Sequence, residues 1–321
     1  MTSVLLPKSF PKDSLGVLPP SMTLLGNSEK DGCGESELES EVLVLGPETL
    51  YLTPSLEVFT QLKMVQATFS GVERIIPYIP ADVTLCNTSV GVFDISVSEW
   101  VISVILASFR SLPHHIHSQR RSSWDPVSSA TGTVPIVSNR ELAGKRVLLV
   151  GYGPIGQGLR KRLLAFDAEV AVVAEHERDG VFPASALPEL LPRHEIVVLL
   201  VALSESTYHM VNSKFLAQLP DGALVVNAGR GSLIDQPALV AELDSGRLSA
   251  ALDVTEIEPL PSTDPLWGTP NCIITPHIAG ATMEAIARAQ EFVGDQLRRY
   301  ASGQPLWNVR TERHSPLSQS D

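Results

Sequence analysis

The chain has 321 residues, enough at about 150 per domain for two domains with separate cores. Its 24 Lys+Arg against 36 Asp+Glu leave a net charge of −12, which repels phosphate backbones and anionic lipid; no nucleic acid and no membrane surface is expected as a partner. With 44% apolar residues the composition is that of a folded protein, and no apolar run reaches the ~18 residues of a membrane span.

Three cysteines, Cys33, Cys86 and Cys272, stand far apart in no paired or metal-ligand spacing. That argues against a disulfide scaffold and a zinc site, and fits a reducing compartment, so no metal and a cytoplasmic location are expected.

In chain order, short strand signals fall at residues 4–6, 23–25, 42–45, 64–68 and 83–86. They read as a smaller α/β domain. The polar stretch 26–36 and the acidic run from Glu35 to Glu41 read as a solvated loop. Residues 96–110 carry a helical pattern. An irregular basic stretch, 113–124, follows it with His114, His115, His117, Arg120 and Arg121 beside Ile116 and Trp124. A loop of that length inside a compact domain ordinarily has a task.

From residue 146 the alternation sharpens. Strands are expected at 146–150, 170–174, 196–201, 223–227, 250–254 and 273–275. Ile155, Leu159, Leu163 and Phe166 share one helical stripe, and residues 237–245 form another helix. Such alternation means βαβ units and a parallel sheet covered on both faces. A helix over 283–302 closes the pattern, and the polar tail 311–321 reads as frayed. The two long helices bracket the second block, so the chain leaves the first domain, builds the second and returns.

The run Gly151-Tyr152-Gly153-Pro154-Ile155-Gly156 follows a strand directly and opens an amphipathic helix. In that context the first glycine permits a tight turn and the second lets backbone approach a pyrophosphate. The third lets helix pack on strand, and the helix N-terminus faces the anion. A dinucleotide site is expected. The acidic residue for the adenosine ribose belongs at the end of the next strand, where Glu175 stands, followed by His176, Glu177 and Arg178. Glu175 favours NAD over NADP, with Arg178 the residue that would reverse the choice.

Three further strand ends carry Asn227-Ala228-Gly229-Arg230-Gly231, Asp253-Val254-Thr255-Glu256-Ile257-Glu258-Pro259 and Thr275-Pro276-His277-Ile278-Ala279-Gly280. Ligands of open parallel sheets bind at the carboxyl ends of strands. An Arg, an acid and a His there supply a carboxylate clamp, a group that orients the histidine and a proton donor.

Four stretches resemble the D-isomer-specific 2-hydroxyacid dehydrogenase family: Glu141-Leu142-Ala143-Gly144-Lys145 through Gly156, then 227–235, 253–259 and 275–282. The similarity covers residues 97 to 309 and is faint before Thr68. It implies an α/β fold of two domains, a Rossmann-type doubly wound parallel sheet (108–283) inserted into a smaller flavodoxin-like substrate domain (1–107 and 284–321). It also implies that Arg230 binds the substrate carboxylate, Glu258 pairs with the histidine and His277 is the acid/base. Glu256 is the other carboxylate to test as that partner. Asp253 would hold the nicotinamide carboxamide, and the loop Ser70-Gly71-Val72 would take the substrate carboxylate. The implied cofactor shell is Gly151, Gly153, Pro154, Ile155, Gly156, Glu175, Val201, Ala228, Arg230, Asp253, His277 and Gly280.

Departures from the family pattern are local. The family's aspartate at the second strand end falls on Ala174, its proline after the third strand on Ala202, and the loop 87–93 is one residue longer. The expected activity is hydride transfer between NAD or NADP and a small 2-oxo or 2-hydroxy acid, of the glyoxylate or hydroxypyruvate kind or another D-2-hydroxy acid. A homodimer embraced by the 113–124 stretch is implied. The alternatives are a dinucleotide-sensing regulator or corepressor on the same fold, and a phosphite- or formate-type dehydrogenase. A short-chain dehydrogenase is excluded, because no tyrosine (51, 78, 152, 208, 300) has lysine four residues on.

Overall fold

The strand signals ahead of residue 96 gather into one parallel sheet and those after residue 146 into another, as a computed structural model of the chain shows. It describes residues 1–8, 10–26, 35–47, 56–89, 91–124, 139–269 and 271–310. Cys33, most of the polar stretch 26–36, position 90 of the loop 87–93 and the tail 311–321 lie outside the described residues. Two compact units form, Met1–Phe93 with Thr282–Asp321, and Asp94–Ala281.

The first unit opens with β1 (Thr2–Leu6), β2 (Met22–Gly26), α1 (Glu35–Leu38), β3 (Val42–Leu45), β4 (Met64–Ala67) and β5 (Thr84–Cys86). The second runs through α2 (Asp94–Phe109), α3 (Leu112–Arg120), β6 (Arg146–Val150), α4 (Pro154–Ala165), β7 (Glu169–Ala174) and β8 (Phe182–Pro183). It continues with α5 (Leu187–Leu190), β9 (Ile196–Leu199), α6 (Ser213–Leu216), β10 (Leu224–Asn227), α7 (Gln236–Asp244), β11 (Ser249–Leu252) and β12 (Cys272–Ile274). The chain then returns to the first unit for α8 (Met283–Ala301).

The first sheet has the order β2-β1-β3-β4-β5, the flavodoxin order. Its side chains alternate faces as the pleat demands. Val42 and Val44 pack with Val293 and Leu297 of α8, while Leu43 and Leu45 pack with Val65, Ala67 and Leu85 on the other face. The helix seats closely because Gly294 leaves no room for a Cβ against the Leu15 carbonyl. The second sheet has the order β12-β11-β10-β9-β6-β7-β8, every pairing parallel. Val147 to Leu149, Ile196 to Leu199 and Leu224 to Val226 are completely buried, which is why these strands read as continuous apolar runs. The strand order reverses between β6 and β9, so the switch point where such sheets take ligands lies between those two strands.

Several expectations need correction. The helical pattern at 96–110 forms α2, which is part of the compact unit Asp94–Ala281. Gly158 of α4 explains the attachment: a Cβ there would sit 3.4 Å from Ser98 Oγ, so the two helices meet at close range. The stretch 113–124 is helical as far as Arg120 rather than irregular. Pro113 stands in the first turn, where its missing N–H would have had no helical partner. The acidic run begins as α1 rather than a solvated loop. Glu37 is only 6% exposed, and Glu41 accepts from Tyr300 Oη at 2.7 Å and Lys63 Nζ at 3.3 Å. Phe166 is exposed, since α4 ends at Ala165 and only Leu159 and Leu163 of the expected stripe are fully buried. No single helix among the described residues is long and apolar enough to cross a membrane.

Candidate active site

β6 stands beside the central strand β9 of the second sheet, and it delivers the glycine-rich turn. Gly151 has φ +113, a conformation L side chains avoid, and a Cβ there would meet the Leu200 carbonyl carbon at 2.7 Å. Gly156 abuts the Gly151 carbonyl, so α4 lies hard against the turn. Gly153 caps α4, Pro154 opens it, and a Cβ on Gly153 would meet nothing within 4 Å. A helix N-terminus with orphaned N–H groups and open space before it is a cradle for an anion. Val201 follows β9 beside this turn, and its carbonyl would meet a Cβ on Gly229 at 3.0 Å.

Glu175 ends exposed just past β7. Arg178 turns back onto the cradle instead: Nη2 donates to the Tyr152 carbonyl at 3.0 Å and the guanidinium lies 5.2 Å from the Tyr152 ring centre. Position along the chain gave no sign of that tie.

Asn227 shapes the turn that presents Arg230. Its Oδ1 accepts from Gly229 N at 3.0 Å and its Nδ2 donates to the Arg230 carbonyl at 2.9 Å. Ala228 adds a backbone bond from its N–H to the Leu199 carbonyl at 3.3 Å. Gly231 packs on the Thr255 carbonyl with no room for a side chain, which fastens this turn to the next strand end.

Asp253, 3% exposed, organises the loop after β12. Its Oδ1 accepts from Thr275 Oγ1 at 2.6 Å and Ile278 N at 2.8 Å, and its Oδ2 from Ala279 N at 2.8 Å. Its backbone carbonyl accepts from His277 N at 2.8 Å. These bonds hold His277 at φ +55, a conformation that costs a non-glycine residue about 1–3 kcal/mol and persists only when its surroundings impose it. Gly280 completes the turn in which Ala281 N donates to the Ile278 carbonyl at 2.8 Å.

His277 Nδ1 lies 3.0 Å from Glu258 Oε2, and Glu258 Oε1 accepts from Thr255 N at 3.2 Å. A carboxylate on Nδ1 sets the tautomer and leaves Nε2 to exchange protons. Glu256, the other carboxylate of this loop, is engaged elsewhere. It pairs with His209 Nε2 at 2.7 Å, and His209 stacks on Tyr208 with ring centres 4.0 Å apart. Nothing in the strand pattern pointed to this second His–carboxylate pair.

Arg230, Asp253, Glu258 and His277 thus stand at three successive strand ends of the second sheet, with the 151–156 cradle and Val201 at the same edge. Ser70, Gly71 and Val72 follow β4 in the first unit.

A sequence profile described as D-isomer specific 2-hydroxyacid dehydrogenase, NAD binding domain, matches residues 102–279. The chain belongs to this family. It is an NAD(P)-dependent oxidoreductase of 2-hydroxy acids, and the cradle at 151–156 fits the pyrophosphate of such a dinucleotide. Among curated relatives, a glyoxylate reductase of Thermofilum pendens is 32% identical over 84% of this chain and 76% of its own. A hydroxypyruvate reductase of Thermotoga maritima is 32% identical over 81% of this dehydrogenase and 84% of its own length. Among solved structures, a D-isomer specific 2-hydroxyacid dehydrogenase from Xanthobacter autotrophicus Py2, in complex with NADPH and MES, superimposes with a TM-score of 0.79. It is 27% identical and covers 96% of this chain and 97% of that one. An NADPH-dependent glyoxylate/hydroxypyruvate reductase from Sinorhizobium meliloti, in complex with NADP and sulfate, gives a TM-score of 0.78 at 25% identity. That match covers 97% of this chain and 98% of its own.

Proposed function

We propose that this dehydrogenase reduces a small 2-oxo acid of the glyoxylate or hydroxypyruvate class, with His277 as the proton donor. The observation that carries the reading is the 3.0 Å contact between His277 and Glu258 at the same sheet edge as Arg230. Glu258 accepts from Nδ1–H and stabilises the imidazolium. Nε2–H then passes to the carbonyl oxygen as C2 is reduced, and a neutral imidazole remains for solvent to reprotonate. Arg230 takes the substrate carboxylate in a charge-assisted pair, polarises the neighbouring carbonyl and fixes C2 in place. In the first unit, the backbone N–H groups of Ser70, Gly71 and Val72 are donors of the kind a substrate carboxylate takes. When bound, the dinucleotide supplies the hydride. Gly151, Gly153, Pro154, Ile155 and Gly156 hold its pyrophosphate, Val201 its adenine side, and Ala228, Asp253 and Gly280 its nicotinamide side.

Cofactor preference rests on Glu175 against Arg178. Glu175 would accept a ribose 2′-hydroxyl and favours NAD, whereas Arg178, whose guanidinium is tied to the Tyr152 carbonyl, is the cation that would meet a 2′-phosphate. Both dinucleotides are therefore expected to serve, and Arg178 to decide how well NADPH does. We further propose a homodimer through residues 113–124, supported by the exposure of Ile116 and Trp124, the latter 94% exposed. The three widely separated cysteines support a reducing cytoplasm.

The deciding experiment follows reduced-nicotinamide absorbance with glyoxylate, hydroxypyruvate and pyruvate, each with NADH and NADPH. Turnover of at least one pair is expected. Dinucleotide binding without turnover of any small 2-oxo acid would overturn the reading in favour of a dinucleotide sensor.

A further inference from the structure

We infer that Asn87 is the positioning residue of the 70–72 loop, and that Asn308, carried by the segment after α8, holds Asn87 in place. The inference rests on the proposal that residues 70–72 donate to the substrate carboxylate.

Asn87 follows β5 and is 0% exposed. Its Nδ2 donates to the Ser70 carbonyl. The Ser70 carbonyl and the Gly71 N–H belong to one planar trans peptide and point in opposite directions. An amide that grips the carbonyl therefore aims the Gly71 N–H away from Asn87, as a donor for an arriving anion. Asn87 Oδ1 accepts nothing from the described residues, so the side chain is engaged through its donor alone.

Asn87 is itself held through its backbone. Its N–H donates to the Asn308 carbonyl at 3.2 Å, and its carbonyl accepts from Asn308 Nδ2 at 3.3 Å. Beyond this reciprocal pair, Val309 bridges Cys86 antiparallel and Arg310 N donates to the Leu85 carbonyl at 2.8 Å. Gln296 of α8 fixes Trp307 from both sides: Nε2 donates to its carbonyl at 2.7 Å, and Oε1 accepts its N–H at 3.0 Å. A relay of hydrogen bonds thus runs from α8 through Trp307, Asn308 and Asn87 to Ser70. Covering the open edge of β5 accounts for the backbone bonds. It does not account for the two asparagine side chains.

Asn308 sits at φ +51, where glycine is unstrained, so Asn308→Gly removes the amide and leaves the backbone path intact. Asn308→Asp keeps the size and loses the donor. Kinetics of the full chain with glyoxylate and NADH should show the glyoxylate KM about three- to tenfold higher in both variants, the worth of one hydrogen bond. The NADH KM and kcat should stay within about twofold, the pattern of lost ground-state binding. Asn87→Ser should act in the same direction. Gly71→Asp, which sets a carboxylate in the loop itself, should raise the glyoxylate KM at least as far.

An unchanged glyoxylate KM in Asn308→Gly would overturn the relay. So would a parallel loss of kcat and of both substrate affinities, since that is general loosening. If Gly71→Asp leaves the glyoxylate KM unchanged, the carboxylate role of the 70–72 loop fails instead. If Gly71→Asp raises it and the Asn308 variants do not, only the relay fails.

Discussion

Replacing Asp253 by Asn changes one atom and should unfasten the loop that carries His277. The carboxylate accepts three hydrogen bonds, two on Oδ1 and one on Oδ2, at 2.6 to 2.8 Å. An amide has a single acceptor oxygen, so in its best orientation it keeps Thr275 and Ile278 and turns an NH2 towards Ala279 N. Asp253 is 3% and Ala279 4% exposed, so water cannot stand in for the lost acceptor. An orphaned buried donor costs about 1–3 kcal/mol, and neutralising the acceptor takes about 1 kcal/mol from each remaining bond, for a total of about 3–5 kcal/mol. At about 2–4 °C per kcal/mol for a domain of this size, Tm should fall by roughly 6–20 °C. Turnover should fall as well, since a misplacement of about 1 Å costs on the order of 10²-fold. Calorimetric melting and steady-state kinetics on one preparation measure both effects. An unchanged Tm would refute the view that these bonds hold the loop. A raised dinucleotide KM at unchanged Tm would give the carboxylate to the nicotinamide carboxamide alone.

His277→Gln should lower 2-oxo acid reduction by about 10²–10⁴-fold while dinucleotide affinity, read by titration of bound NADH fluorescence, moves little. Arg178→Ala should lower kcat/KM with NADPH and spare NADH, as the ratio of the two with one 2-oxo acid will show. Burial holds the His194 imidazole below its ordinary 6.5, against a partly restoring bond to the Leu190 carbonyl. The unfolded chain therefore takes up the proton first, so stability is whole above that value and declines as pH falls below it towards the lower folded value. Denaturant unfolding from about pH 8 down to about pH 5 should show this decline, and His194→Gln should flatten it.

The strands of the second sheet were legible because both faces are covered, so Val147 to Leu149 and Ile196 to Leu199 leave no polar position to confuse the reading. The glycine-rich turn was legible because Gly151 and Gly156 occupy places that geometry closes to other residues. Pro113 misled because it breaks a helix interior and opens a helix equally well. The pairing of His209 with Glu256 joins positions far apart in sequence, neither on a periodic face. The anchorage of Asp253 was hidden for another reason. Two of its three partners are backbone N–H groups, which every residue of a loop possesses, so no residue type marks them.

The first unit is assembled from Met1–Phe93 and Thr282–Asp321, whereas the second is one uninterrupted segment, Asp94–Ala281. On a ribosome the second can close as soon as it has emerged, since all its strands lie within that span. The first must wait with Val42, Val44 and Met64 short of part of their cover until Val293 and Leu297 arrive. Domains fold as units during synthesis, and long-separated pairings are slow and prone to aggregation while open. The newborn chain therefore carries a partly covered apolar sheet face for most of its synthesis, and that interval is where chaperones have something to hold.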